Sequence, residues 1–193
     1  MKFCNQCGEP LLLAVPAGDD RERHVCSSCA HVHYRNPRII TGCIPVHEDR
    51  VLLCRRAIEP RHGFWTLPAG FLEHGETIAE GAGRETLEEA NARVDIHGLY
   101  AIYDVLHIGQ VYMFHRATLA DLDFSPGEES LATELFREQD IPWDELAFPV
   151  IGLVLKDFFA DRGRGAYPLK TATINRNRVP GLHTPPPAHL SKP

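Results

Sequence analysis

Gly70-Phe-Leu-Glu-His-Gly-Glu76 and, after seven intervening residues, Arg84-Glu85-Thr86-Leu87-Glu88-Glu89 decide how this chain is read. Thr77 and Glu80 have the spacing of a capping box, which predicts a helix from Ile78 to about Ala90. Residues three and four apart share a helix face, so Glu85, Glu88 and Glu89 fall on one stripe. Like charges so placed cost roughly 0.2 to 0.5 kcal/mol per pair on an exposed helix, a poor structural choice unless a cation joins them. Carboxylate oxygens suit a hard ion, Mg²⁺ or Mn²⁺, and Mg²⁺ is usually shared with substrate phosphates. The other face carries Ala79, Ala82, Gly83, Thr86 and Ala90, small enough to lie close on a sheet. The glutamates are then expected to face outward, toward a cleft.

Ahead of this helix the pattern is β. Ile39-Ile-Thr-Gly-Cys-Ile-Pro-Val46 and Val51-Leu-Leu-Cys54 flank a polar turn at His47-Glu-Asp-Arg50, which predicts a hairpin. Pro45 cannot donate a ladder hydrogen bond and belongs at a strand end, an edge or a bulge. Pro68-Ala-Gly70 predicts a break in regular structure. After the helix, Val94 to Ile96, Leu99 to Leu106 and Gln110 to Thr118 read as strands, with a turn at Gly109. Ser125 to Ser130 reads as a loop, Leu135-Phe136 as a short strand, and Val150 to Phe159 as a helix. The stretch from about Val179 to Pro193 is proline-rich and expected to be mobile.

The N-terminal segment carries two C-x2-C knuckles, Cys4-Asn-Gln-Cys7 and Cys26-Ser-Ser-Cys29. Four thiolates turned toward one point complete the closed tetrahedral shell of structural Zn²⁺. A segment this short buries too little apolar surface to fold alone, so metal supplies its stability. A redox dithiol would need only one pair. His24, His31 and His33 are read as surface or packing residues, and Cys43 and Cys54, inside apolar runs, as small buried side chains.

With 193 residues, 44% hydrophobic, the chain has room for one well-buried domain and a small appendage. A net charge of -6 gives no global attraction for nucleic acid or an anionic membrane, and favours a small-molecule substrate. The opening Met1-Lys2-Phe3-Cys4 lacks the features of a secretory signal, and no apolar run approaches spanning length. Six cysteines without such a signal point to a reducing compartment, the cytoplasm.

The spacing resembles the Nudix box, G-x5-E-x7-R-E-U-x-E-E-x-G-U with U a bulky apolar residue. Gly70, Glu76, Arg84, Glu85, Glu88 and Glu89 match it, while Thr86, Asn91 and Ala92 depart from it. After glycine, Asn91 is among the residues best able to take the left-handed conformation that ends a helix. The resemblance implies an α+β fold: a Nudix α/β/α sandwich with a mixed central sheet over residues 37–176, preceded by a zinc ribbon over residues 1–36. It also implies that Glu85, Glu88 and Glu89, with the Gly70 carbonyl, ligate Mg²⁺ or Mn²⁺. Arg84 would hold the cluster through an ion pair, and Glu76 would tie the loop to the helix. The general base is expected from a loop outside the box, with Glu129 first and Glu128 and Glu134 as rivals. Arg56, beside Arg55, is a candidate for substrate phosphate, and Trp65, beside Phe64, for stacking on a base. Both also have plainer readings, as a solvated strand end and a core aromatic.

Two subgroups share the ribbon layout. The NADH pyrophosphatases carry S-Q-P-W-P-F-P-x-S after the box, and Ile102-Tyr-Asp-Val-Leu-His-Ile-Gly109 lacks it. Ile141-Pro-Trp-Asp-Glu-Leu-Ala-Phe148 and the Pro126-Gly-Glu-Glu-Ser130 loop are more similar to the plant-type FAD and ADP-ribose pyrophosphatases. That likeness implies cleavage of a nucleoside diphosphate-X, with ADP-ribose or FAD favoured, NADH or NAD-capped RNA as the alternative, and a homodimer. A non-catalytic nucleotide sensor or zinc-ribbon nucleic-acid adaptor is the reading of another class. It is disfavoured because all three glutamates are present.

Overall fold

The computed structural model describes residues 1–175, so the proline-rich tail lies outside the described residues. Two compact units divide at Met1–Pro37 and Arg38 onward. The first holds a three-stranded antiparallel sheet of β1 (Leu11–Ala14), β2 (Arg23–Cys26) and β3 (Val32–His33).

The second unit is built on a mixed sheet. Its strands are β4 (Arg38–His47), β5 (Arg50–Arg56), β6 (Trp65–Thr66), β7 (Ala69–Phe71), β8 (Val94–Val105), β9 (Gln110–Leu119), β10 (Ser130–Arg137) and β11 (Lys170–Ile174). The main order is β10-β5-β4-β9-β8-β11, with β6 paired to β5 and β7 to β4. The β4–β9 and β8–β11 pairs are parallel and the rest antiparallel. Helix α1 (Ile78–Ala90) covers one face, where Cys43 and Ala117 meet Ala82. Helix α2 (Pro149–Arg164) covers the other, packing Ile151, Val154, Leu155 and Phe158 against Ile44, Tyr103 and Phe114. Burying each large apolar side chain is worth about 1.5 to 3 kcal/mol, and this second layer is the larger of the two. The α/β/α sandwich is therefore the fold.

Local chemistry explains the boundaries. Thr77 accepts from the Glu80 N–H, the Glu80 carboxylate accepts from the Thr77 N–H, and Asn91 ends α1 at φ 47°, all as the sequence predicts. Pro45 falls between Gly42, paired with β7, and Val46, paired with β5. In that gap β4 has only its β9 neighbour, so the missing N–H costs no ladder bond.

Other expectations change. The break expected at Pro68-Ala-Gly70 is confined to Leu67-Pro68, between β6 and β7, because Ala69 to Phe71 form the short strand β7 on β4. The two strands expected around His97 are one strand, β8, with irregular register there. Leu135-Phe136 belongs to the longer β10, in which Thr133 and Glu134 interrupt the apolar residues and so left no continuous run. Strand β11 was missed because Thr171 and Thr173 face water between inward residues, which leaves no apolar run. Helix α2 runs past Phe159 because buried Asp161 accepts from the Tyr100 hydroxyl at 2.9 Å and from Lys170 Nζ at 2.7 Å. This polar anchor leaves no hydrophobic period.

Candidate active site

Strand β7 delivers Gly70 against Glu85, past the middle of α1. A Cβ on Gly70 would lie 2.3 Å from Glu85 Oε2, so a side chain there would collide with the carboxylate. Arg84 organises the acids. Its Nε and Nη2 donate to Glu76 Oε2 and Oε1 at 2.9 and 2.8 Å, and Nη1 donates to Glu85 Oε1 and Glu88 Oε2 at 2.8 and 2.9 Å. Nη2 also reaches the Phe71 carbonyl at 3.1 Å. Glu76 accepts the Glu73 N–H at 2.8 Å. The Arg84 fork and that N–H together hold the Glu76 carboxyl down to about 2.

The glutamates do not all face outward. Glu85 and Glu89 are only 9% and 6% exposed, whereas the Glu88 side chain is 58% exposed. The helix lies deep enough on the sheet to bury both acids on the side next to β7. Burial, reinforced by neighbouring Glu85, pushes the Glu89 carboxyl up to about 8. Burial also raises Glu85, against the pull of Arg84. Among the described residues, Glu89 Oε2 is buried with no hydrogen-bond partner. A buried, unpaired carboxylate oxygen costs several kcal/mol if ionised, which makes it a site for a cation or a proton.

This orphaned oxygen, the all-oxygen donor set and the close approach at Gly70 fit Mg²⁺ or Mn²⁺. The three carboxylates do not converge on a single point. Among the described residues, the four cysteines are the group whose donor atoms all lie within 4.8 Å of one another. Glu85 and Glu88 each lend one oxygen to Arg84, and exposed Glu88 has room to turn.

The loop before β10 is fastened to the end of α1. Gly127 N–H donates to the Glu89 carbonyl at 3.0 Å and Ser125 N–H to Ala90 at 2.9 Å. Asn91 Nδ2 donates to the Ser125 and Pro126 carbonyls, both at 3.2 Å. This second use of Asn91 left no signal in the sequence. Glu129 is the loop acid whose charge raises both Glu85 and Glu89. Glu128 is exposed on the same loop, and Glu134 is exposed on β10, paired with Leu53.

Arg56 lies at the rim, with Nε donating to the Pro60 carbonyl at 2.9 Å and its guanidinium 5.3 Å from the Phe148 ring centre. Its charge opposes the rise of the Glu89 carboxyl. Arg55 turns to the Gly63 carbonyl. Trp65 corrects the stacking expectation. It is 8% exposed, packs edge-on against Phe136 at 4.9 Å and belongs to the core beneath α2, so its ring is not offered to a base.

In the N-terminal unit, sulfur separations are 3.4 Å for Cys7–Cys26, 3.5 Å for Cys7–Cys29 and 3.8 Å for Cys4–Cys29. A tetrahedron with Zn–S bonds of about 2.3 Å has edges near 3.8 Å, so the donor set fits Zn²⁺. His33, buried, places Nε2 3.3 Å from Cys4 Sγ, a neighbour of the ligand set and not one of the four thiols.

Residues 2–35 match the family described as Nudix N-terminal, and residues 36–151 match the NUDIX domain. The chain belongs to the Nudix family. A Nudix hydrolase from Nitrosomonas europaea, known as a crystal structure, is 55% identical with TM-score 0.85, over 90% of this chain and all of that one. Among curated Nudix relatives, the NAD-capped RNA hydrolase NudC of Photobacterium profundum is 39% identical over 70% of this chain and 49% of its own length. The NudC of Klebsiella pneumoniae is 34% identical over 73% and 53%. The chain thus spans about half the length of the curated Nudix proteins it matches. Among the described residues, no helix is long and apolar enough to cross a membrane.

Proposed function

We propose that this chain hydrolyses the diphosphate bond of a nucleoside diphosphate-X substrate with Mg²⁺ or Mn²⁺. The observation that carries the reading is the unpartnered, buried Glu89 Oε2 with Glu85 as its neighbour, the Glu85 carboxylate in turn lying against Gly70. Glu85, Glu88, Glu89 and the Gly70 carbonyl hold the metal, which when bound neutralises phosphate charge and acidifies a coordinated water. Arg84 and Glu76 fix the ligands in place. Glu129 accepts the proton of the attacking water, and Arg56 donates to a phosphate oxygen. Water oxygen bonds to one phosphorus as the bridging P–O bond breaks, leaving a nucleoside monophosphate and a second phosphate ester. Zn²⁺ on Cys4, Cys7, Cys26 and Cys29 is structural.

The names of the curated relatives support an NAD-type dinucleotide, free or as an RNA 5′ cap, ahead of ADP-ribose and FAD. They also bring nucleic acid back as a partner, contrary to the expectation from net charge. Against this stands the missing S-Q-P-W-P-F-P-x-S, since Leu106 to Ile108 form a tight turn into β9 instead. The deciding assay is a hydrolysis screen of NAD⁺, NADH, NAD-capped RNA, ADP-ribose and FAD with product identification. Nicotinamide mononucleotide plus AMP, or plus 5′-monophosphate RNA, is expected. Higher kcat/KM for ADP-ribose or FAD reverses the ranking, and binding without turnover of any substrate favours a sensor. A homodimer in the cytoplasm completes the proposal, checked by light scattering and by fractionation.

A further inference from the structure

Strand β10 leads from Ser130, beside the Glu129 loop, to Arg137 at its far end. At about 3.3 Å per residue, its length puts roughly 20 Å between the acidic site and a second concavity around Arg137. That pocket, about 550 Å³, is lined by Asp49, Arg137, Glu138, Trp143, Lys156 and Arg162, drawn from the β4–β5 turn, β10, the segment after it and α2. Its three cations outnumber its two acids, and one of those acids, Glu138, is exposed. The other, Asp49, accepts from Arg137 Nε at 2.9 Å, and Arg137 itself lies directly across the ladder from Arg50, a like charge. Arg162 is left with a neutral acceptor, the Asp49 carbonyl, 2.7 Å from Nη1. The Lys156 ammonium stands 5.7 Å from the Trp143 ring centre. Among the described residues, neither Arg162 nor Lys156 forms an ion pair with a carboxylate, and Arg137 spends only its Nε.

Cations gathered in one hollow of a chain whose net charge is -6 suit an anion. The planar guanidinium forks match phosphate oxygens, and the ammonium adds a point charge. The volume is larger than a bare phosphate fills and lies in the range of small-molecule sites. Trp143, whose Nε1 donates to the Glu138 carbonyl at 3.3 Å and whose ring packs partly against the core beneath α2, supplies an apolar wall for the organic part of a ligand. We infer that this pocket is a second site, for a phosphate-bearing nucleotide, free or as a unit of an RNA chain. The inference stands apart from the hydrolase reading, because none of these residues belongs to the acidic cluster or to the Glu129 loop.

The test titrates AMP, inorganic phosphate and an uncapped oligoribonucleotide into the full chain and follows amide exchange. AMP or the oligonucleotide is expected to protect residues 137–145 and 156–162, and Lys156→Glu to weaken the binding that this protection reports by about tenfold, whereas Lys156→Arg, which keeps the charge, retains it. Tighter binding of the oligonucleotide than of AMP assigns the site to an RNA chain, and the reverse to a free nucleotide. Because Lys156 is exposed and unpaired on α2, its charge reversal leaves thermal unfolding unchanged and kcat for a free dinucleotide within about twofold. Protection confined to α1 and the Glu129 loop, unchanged binding in Lys156→Glu, or inorganic phosphate bound as tightly as both nucleotide probes overturns the second site. If the protection of residues 137–145 holds while the wild type hydrolyses no dinucleotide, the second site stands and the hydrolase reading falls.

Discussion

Arg84 grips Glu76 with two parallel bonds, 2.9 and 2.8 Å, and spends its remaining nitrogen on Glu85 and Glu88. One planar guanidinium thereby sets the position of two candidate ligands against the loop that follows β7 and carries Glu76. A lysine has a single nitrogen and cannot reproduce this fork. Arg84→Lys and Glu76→Gln are each expected to weaken Mg²⁺ binding by about ten- to a hundredfold, as loss of support behind a ligand does. Calorimetric Mg²⁺ titration of the two variants checks this.

Glu89 makes metal binding depend on pH. Its carboxyl is raised to about 8 in the fold, from an ordinary value near 4.5, by burial and by Glu85. The contribution of the protonated acid to stability is complete below the unfolded value and is lost as pH rises toward about 8. A metal must displace this proton, so Mg²⁺ affinity of the metal-free protein should climb by up to about tenfold per pH unit and level off above about pH 8. Glu89→Gln should flatten that slope and reduce turnover at least about a hundredfold. A slope unchanged in the variant would exclude Glu89 as the group displaced.

Much of this site was legible in the sequence because it is local. Glu76, Arg84 and the three glutamates lie within one loop and helix, and Thr77 and Asn91 mark the helix ends by their own chemistry. What the sequence misjudged depended on contacts made across the sheet. Trp65 sits in an aromatic-rich stretch, yet its burial is decided by Phe136, far along the chain. The inward tilt of Glu85 and Glu89 depends on how closely α1 rests on β4, which spacing alone does not reveal. The partnership of Arg38 with Phe71 needs β7 to pair with β4, and a three-residue strand beside proline has no periodic signature.

The ribbon should depend on its metal. The backbone N–H groups of Cys29 and Ser28 hold Cys26 down to about 6, the direction that favours the thiolate a metal needs. One Zn²⁺ per chain is expected by elemental analysis. Chelation, or Cys26→Ser, should abolish amide-exchange protection over residues 1–37.

The loop carrying Glu129 has no slack at Gly127. A Cβ at that position would fall 1.7 Å from the Glu88 carbonyl oxygen. Gly127→Ala is therefore expected to cost about 1 to 3 kcal/mol in denaturant unfolding and to reduce kcat by displacing Glu129. Glu129→Gln should spare stability while lowering kcat by about 10² to 10⁴, provided this residue accepts the proton. If Glu128→Gln gives the larger loss in kcat, the role passes to Glu128.

The bonds from Gly127 and Ser125 to the carbonyls of Glu89 and Ala90, with Asn91 bridging from below, splice the loop to the helix end. Any breathing of the cleft must then carry the acidic helix and the Glu129 loop as one solid piece. Because the Ala57 N–H donates to the Glu129 carbonyl at 2.8 Å and Arg56 pairs with Ser130, the end of β5 belongs to that same piece, and gating would fall to segments bonded to neither.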